Sequence, residues 1–290
     1  MPLTHKILNG LTLLIIFVGC GQEKSTAPEI SQMEKWGGGL GLSSPESVVF
    51  DAQNHCLYVS NGKQFAPGTE GFISKFHKNG KLEQLKWVDS LSRPTGMAIH
   101  NNRLWVADVN ALKVIDISTR EVVKSYPEPI KNSGLNDVAI NPGGEVYVTA
   151  SFIHSVFKVE GDSLKTWIQD AEQLQWANGI LATKEEVIVG GTQLSGIDIQ
   201  TKTIRNLPTD PPIKDVDGLW PDGQGGFLIS TVEGTGLWHL DTAGKSSLLS
   251  QGGDYLGDLQ YLPETRTLYL PRGDHEAKRY YLAVFGLKFP

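Results

Sequence analysis

Short runs of apolar residues, bounded by turn-forming residues, repeat along the whole chain. Six of them open alike: ESVVF from Glu46, TGMAI from Thr95, NDVAI from Asn136, NGILA from Asn178, DGLWP from Asp217 and GDLQY from Gly257. Their spacing is roughly 40 residues, the period of a stacked or radial array of small units. One unit can be read in full. Asn136 to Ile140 forms a short strand, Asn141-Pro142-Gly143-Gly144 a turn, and Glu145 to Thr149 an alternating second strand. Ser155 to Val159 is a third strand, Glu160-Gly161-Asp162-Ser163 a second turn, and Leu164 to Ile168 a fourth strand. Proline presets φ and glycine supplies positive φ in such turns, and the runs between them have strand length and composition.

Four antiparallel strands per unit and six units predict an all-β fold, a six-bladed β-propeller. The last unit runs short of chain. After Thr267 to Leu270 and Tyr280 to Leu287 no fourth strand remains before Pro290. The segment Ile30 to Trp36 resembles the fourth strand of the first unit, Leu82 to Trp87, and is expected to complete the last blade. Closing the ring in this way covers two sheet edges that would otherwise be open. Residues 30–290 then form one domain, preceded by a tether at 21–29 rich in Ser, Thr, Pro and charge.

In a propeller the six opening residues stand at one height around the axis. Glu46, Asn136, Asn178 and Asp217 carry side-chain oxygen, and Thr95 and Gly257 fill the other two places. Two carboxylates and two carboxamides suit a hard divalent cation, Ca2+ before others. Zinc prefers nitrogen and sulfur, and no His or Cys stands in this column. Asp137 and Asp258 follow one position later and are candidates for an outer layer. Loops between second and third strands share the face of this column. They bring Phe65, Phe152, His154, Arg272 and His275 to its rim as candidate substrate contacts. Trp105, Trp220 and Trp238 fall in or beside strands, where packing between blades is their expected work.

Composition adds an address. Of 290 residues 40% are hydrophobic and 20% charged, with a net charge of −6. That balance, with no basic cluster, excludes a nucleic-acid backbone as a natural partner. Lys6 precedes the apolar run Ile7 to Val18, which is too short to span a bilayer. It reads as the core of a secretory signal occupying residues 1–20. Phe17-Val18-Gly19-Cys20 resembles a bacterial lipobox. The resemblance implies lipidation of Cys20 and a lipid-anchored protein of the bacterial envelope, on the outer membrane in a Gram-negative cell. Cys56, the one other cysteine, lies in an apolar strand and is expected to be a buried thiol.

The chain resembles the senescence-marker-protein/gluconolactonase family, which is related to the paraoxonase-type lactonases. The resemblance is carried by Pro45-Glu46-Ser47-Val48, by Asn136-Asp137 followed by Asn141-Pro142-Gly143-Gly144, by Asn178-Gly179, and by Asp217-Gly218 followed by Asp222-Gly223-Gln224-Gly225. It implies a divalent ion on Glu46, Asn136, Asn178 and Asp217, and Asp217 as general base, with Asp137 as the rival base. The implied reaction is hydrolysis of a small lactone or ester. Gly134 stands where sugar-lactonase members carry a substrate-binding arginine, and the aromatic-rich stretch that follows the first Glu in that family is absent. The alternative is a non-catalytic propeller that binds a protein, peptide or glycan around a structural metal. A quinone-dependent dehydrogenase is disfavoured, because no tryptophan-docking pattern recurs between repeats.

Overall fold

The computed structural model describes residues 27–252, 256–274 and 276–290, without the side chains of Gln32, Met33 and Glu233. Cys20, the rest of the lipobox and His275 lie outside the described residues. Within them the chain forms six four-stranded antiparallel sheets. The first strands are Pro45–Asp51, Pro94–His100, Leu135–Ile140, Ile180–Ala182, Val216–Pro221 and Gln260–Leu262. Five blades are sequential hairpins; the sixth takes its outer strand, Glu29–Trp36, from the start of the domain. That strand pairs antiparallel with Arg279–Lys288, from Glu29 opposite Lys288 to Trp36 opposite Leu282. The predicted propeller and its N-terminal closure are therefore both present.

Strands near the axis are buried on both faces. Every residue of Cys56–Asn61 and of Val146–Ala150 is buried. A residue pointing either way meets a neighbouring sheet, so these strands are continuously apolar rather than alternating. Outer strands such as Ser163–Gln169 mix exposed residues with a few buried ones, Leu164 and Trp167 here, because one of their faces meets water. The core is six clusters, each shared by two adjacent blades. One joins Tyr58, Ile73 and Trp87 of blade 1 to Leu104, Val106 and Ile115 of blade 2. The closing cluster packs Val48, Leu57 and Phe76 of blade 1 against Tyr269, Leu282 and Val284 of blade 6. Trp36 joins it, its ring 5.5 Å from Tyr269. Trp105, Trp220 and Trp238 are half-buried and pack into inter-blade clusters, as expected. Cys56 is a buried free thiol, and burial pushes its pKa up.

Candidate functional site

Glu46, Asn136 and Asp217 stand second in the first strands of blades 1, 3 and 5, and Asn178 two residues before that of blade 4. In blades 1, 2, 3 and 5 the pairing of first and second strands shifts register just there, between Pro45 and Val48, Pro94 and Met97, Leu135 and Val138, and Val216 and Gly218. Such a bulge breaks the strict alternation and re-aims side chains. It also frees a backbone N–H. In three blades a second-strand hydroxyl accepts it: Ser60 from Ser47 N at 2.9 Å, Thr149 from Asp137 N at 2.8 Å, and Ser230 from Gly218 N at 2.9 Å.

The column residues are gathered. Asn178 Nδ2 donates to Asp217 Oδ1 at 2.6 Å. Asn136 and Asn178 line one cleft of about 480 Å3. Glu46 and Asp217 are buried and close enough that the Asp217 charge helps to raise the Glu46 pKa, after burial itself. Two oxygens in this set, Glu46 Oε2 and Asn136 Oδ1, are buried without a hydrogen-bond partner. Asn136 Nδ2 donates to Ser151 Oγ at 3.0 Å, and Ser151 Oγ donates to the Ala177 carbonyl at 2.6 Å.

The following residues form a second circle just inside the wall. Asp137 Oδ1 accepts from Val138 N at 2.7 Å and Asp137 Oδ2 from Ile180 N at 3.0 Å, which ties blade 3 to blade 4. Asp258 Oδ2 accepts from Ser47 Oγ at 3.0 Å, and Asp258 N donates to the Glu46 carbonyl at 2.7 Å, which ties blade 6 to blade 1. The corresponding residue of the blade before each is Gly96 or Gly218, and a Cβ on Gly96 would collide with the Asp137 carboxylate.

Four buried carboxyl groups, Glu46, Asp137, Asp217 and Asp258, thus act on one another electrostatically. Burial raises the pKa of Asp217 to about 7, against the lowering effects of the Asn178 bond and of Arg93. Asp137 and Asp258 are pushed well above the carboxylate range by burial first and by neighbouring carboxylates next. Arg93 is the cation that opposes this at Glu46 and Asp217. It is itself buried, and Arg93 N donates to Asp108 Oδ1 at 2.7 Å. Sequence reasoning passed over Arg93. Its only signal was its place two residues before Thr95, ahead of a column position.

The rim candidates divide. Phe65 and Phe152 line the cleft, with ring centroids 5.3 Å apart. His154 stands beside it, Nδ1 accepting from Trp176 N at 3.1 Å. Arg272 is buried, and its guanidinium donates to the Gly252 carbonyl. Trp176, which the sequence did not single out, completes the wall 6.1 Å from Phe152. A larger cavity, about 930 Å3, opens at the other end of the axis among apolar first-strand residues such as Val49, Met97, Ile140 and Leu219. It contains none of the column residues, whereas the smaller cleft contains Asn136 and Asn178.

The oxygen set fits a hard cation. Among the described residues no three His, Cys, Asp or Glu side chains are grouped as a metal site. A cation here would therefore rely on carboxamide oxygen beside the two carboxylates. The unpartnered Glu46 and Asn136 oxygens supply an otherwise unexplained reason for such a ligand, since buried polar atoms are normally satisfied.

No family model and no curated relative matches this chain. Solved structures of the same architecture do. A gluconolactonase from Xanthomonas campestris aligns with TM-score 0.68 and 14% identity over 91% of this chain and 96% of its own. A luciferin-regenerating enzyme aligns at 0.64 with 16% identity, over 91% and 97%. Virginiamycin B lyase from Staphylococcus aureus aligns at 0.60 with 10% identity, over 88% and 99%. Hydrolytic and lyase chemistries thus share this scaffold, and likeness at such identity speaks for the fold and not the reaction. The chain is a six-bladed β-propeller of the architecture found in gluconolactonases, luciferin-regenerating enzyme and streptogramin lyases.

Proposed function

We propose that the protein is a divalent-metal-dependent hydrolase of small lactones or esters. The observation that carries this reading is that Asn136 and Asn178 line one cleft, Asn178 is bonded to buried Asp217, Asp217 acts electrostatically on buried Glu46, and two buried oxygens, Glu46 Oε2 and Asn136 Oδ1, are unpartnered. These four residues would hold the cation, and an all-oxygen set with two carboxylates favours Ca2+. When bound, such an ion acts as a Lewis acid on a carbonyl oxygen.

The chain's own groups account for the rest. Asp217, whose pKa burial raises to about 7 before any cation is bound and whose value a bound cation would lower, would take a proton from water attacking the carbonyl carbon. Asn178 holds the Asp217 carboxylate in place through its 2.6 Å bond. Asp137 is a weaker candidate base, because both its oxygens already accept backbone N–H groups. Ser151 fixes the Asn136 carboxamide so that its oxygen stays aimed away from the hydroxyl. The gluconolactonase neighbour shows that this fold can carry such a reaction.

The test is hydrolysis of a lactone and aryl-ester panel by the purified domain before and after chelation, with elemental analysis of the same preparation. Turnover lost on chelation and restored by Ca2+ supports the reading. A metal-loaded protein that hydrolyses none of the panel supports the non-catalytic alternative. We also propose that lipidated Cys20 anchors the domain on a bacterial envelope. Incorporation of labelled palmitate, abolished by Cys20→Ser, is the result this requires.

A further inference from the structure

The cleft is lined by polar Asn136, Ser151, Asn178 and Asp215 and by a larger set of hydrocarbon side chains, Phe65, Phe152, Trp176, Val216 and Val232. Phe152 is 49% exposed, Trp176 52% and Val232 53%, and all three border the cleft with half-buried Phe65. These residues come from loops of blades 1, 3, 4 and 5, yet Phe65, Phe152 and Trp176 form one edge-to-face series. Exposed aromatics are costly in water, and a concave group of them beside polar atoms marks a ligand site.

The hydrocarbon wall is built onto the polar residues. Ser151, which holds Asn136, is the residue before Phe152, and Ala177, whose carbonyl accepts from Ser151, is the residue after Trp176. Phe152 N donates to the Ser133 carbonyl at 3.1 Å, and Ser151 N to the Gly134 carbonyl at 3.0 Å. Ser133 is in turn held by Glu128, whose carboxylate accepts from Ser133 N and Oγ. Trp176 has φ 55°, an unusual conformation for a bulky side chain, and its N–H is fixed by His154.

Gly134 makes room for this wall. It has φ +67°, and a Cβ there would lie 2.8 Å from the Phe152 ring, so the ring as placed leaves no space for a side chain at 134.

We infer that the cleft takes lactones or esters bearing an apolar alkyl or aryl substituent, packed against Phe152, Trp176 and Phe65, rather than polyhydroxylated ones. This rests on the hydrolase reading for the reaction, but not for the binding. An apolar substituent set against the Phe65, Phe152 and Trp176 rings has no polar group to satisfy, whereas sugar hydroxyls set against those rings would lose water without new partners.

The test compares kcat/KM for a phenyl- or pentyl-substituted five-membered lactone with that for gluconolactone, in the native protein, Phe152→Ala and Phe65→Ala. In parallel, the matching phenyl-substituted cyclic ether, which cannot be hydrolysed, is titrated while tryptophan fluorescence is followed, with Trp176→Phe as control. A preference of tenfold or more for the substituted lactone, reduced severalfold in either variant, supports the inference. Equal turnover of both lactones, or a preference unmoved by both variants, overturns it while leaving the hydrolase reading intact. Ether binding that changes Trp176 fluorescence without turnover of any lactone supports the apolar cleft and overturns the hydrolase reading. Neither turnover nor ether binding overturns both.

Discussion

Asp217 is a carboxylate kept near neutral pKa by two opposed effects, burial raising it and the Asn178 amide with Arg93 lowering it. Replacing Asp217 by Ala should reduce kcat by about 10²–10⁴-fold, the usual range for a general base, with an unchanged circular-dichroism spectrum. Arg93 gives a separate handle. Arg93→Met removes the charge that lowers the Glu46 and Asp217 pKa values, so the acid limb of the kcat/KM profile should move to higher pH. A profile that stayed in place would remove Arg93 from the electrostatics of the site. The same burial has a cost in stability. A folded-state pKa above the unfolded value means that the folded protein holds a proton the unfolded chain has already released. Between the ordinary carboxylate range and about 7, stability therefore falls as pH rises. Glu46, Asp137 and Asp258 shift in the same direction and add to the slope. Chelated protein should melt at progressively lower temperature from pH 5 to pH 8, and Asp217→Asn should flatten part of that decline. A chelated protein whose melting temperature rose over that interval would contradict this account.

The first strand of each blade is the element that turns periodicity into a site. The bulge in blades 1, 2, 3 and 5 lets adjacent residues serve different ends: in blade 3 Asn136 faces the cleft, while Asp137 bonds backbone groups of its own blade and the next. The hydroxyls of Ser60, Thr149 and Ser230 make this affordable by taking the N–H groups that the bulge removes from the ladder. Thr149→Val keeps the shape but leaves the buried Asp137 N–H unpaired. It should destabilise by about 1–3 kcal/mol, read from urea midpoints at constant slope. The glycines of this second circle are spacers of the same device, since Gly96 leaves the room that the Asp137 carboxylate occupies. The bulge was not legible in the sequence. Its marks, a Ser or Thr at matching second-strand positions, are common strand residues and acquire meaning only when paired.

The whole molecule depends on closure. Trp36 and the ladder from Glu29 to Trp36 seal blade 6, and the cluster they complete belongs equally to blade 1. A chain beginning at Gly38 would expose the Arg279–Lys288 edge and strip Trp36 from Tyr269. It should aggregate or melt well below the full domain, as seen by light scattering during a thermal ramp. Intact stability in that truncation would mean that blades 1 and 6 hold without the outer strand.

What the amino-acid sequence determined by itself is what repeats locally. Alternation, turn residues and spacing specify four strands per blade, six blades and the closing strand, and they nominate the column Glu46, Asn136, Asn178 and Asp217, because each follows from comparing one repeat with the next. The tertiary structure alone decided what meets across repeats. Arg93 beside Glu46 and Asp217, the partnership of Asp137 with Ile180, and the wall of Phe65, Phe152 and Trp176 join residues dozens or more positions apart. No periodicity constrains such encounters, since loop length and conformation vary freely between blades that share the same strands.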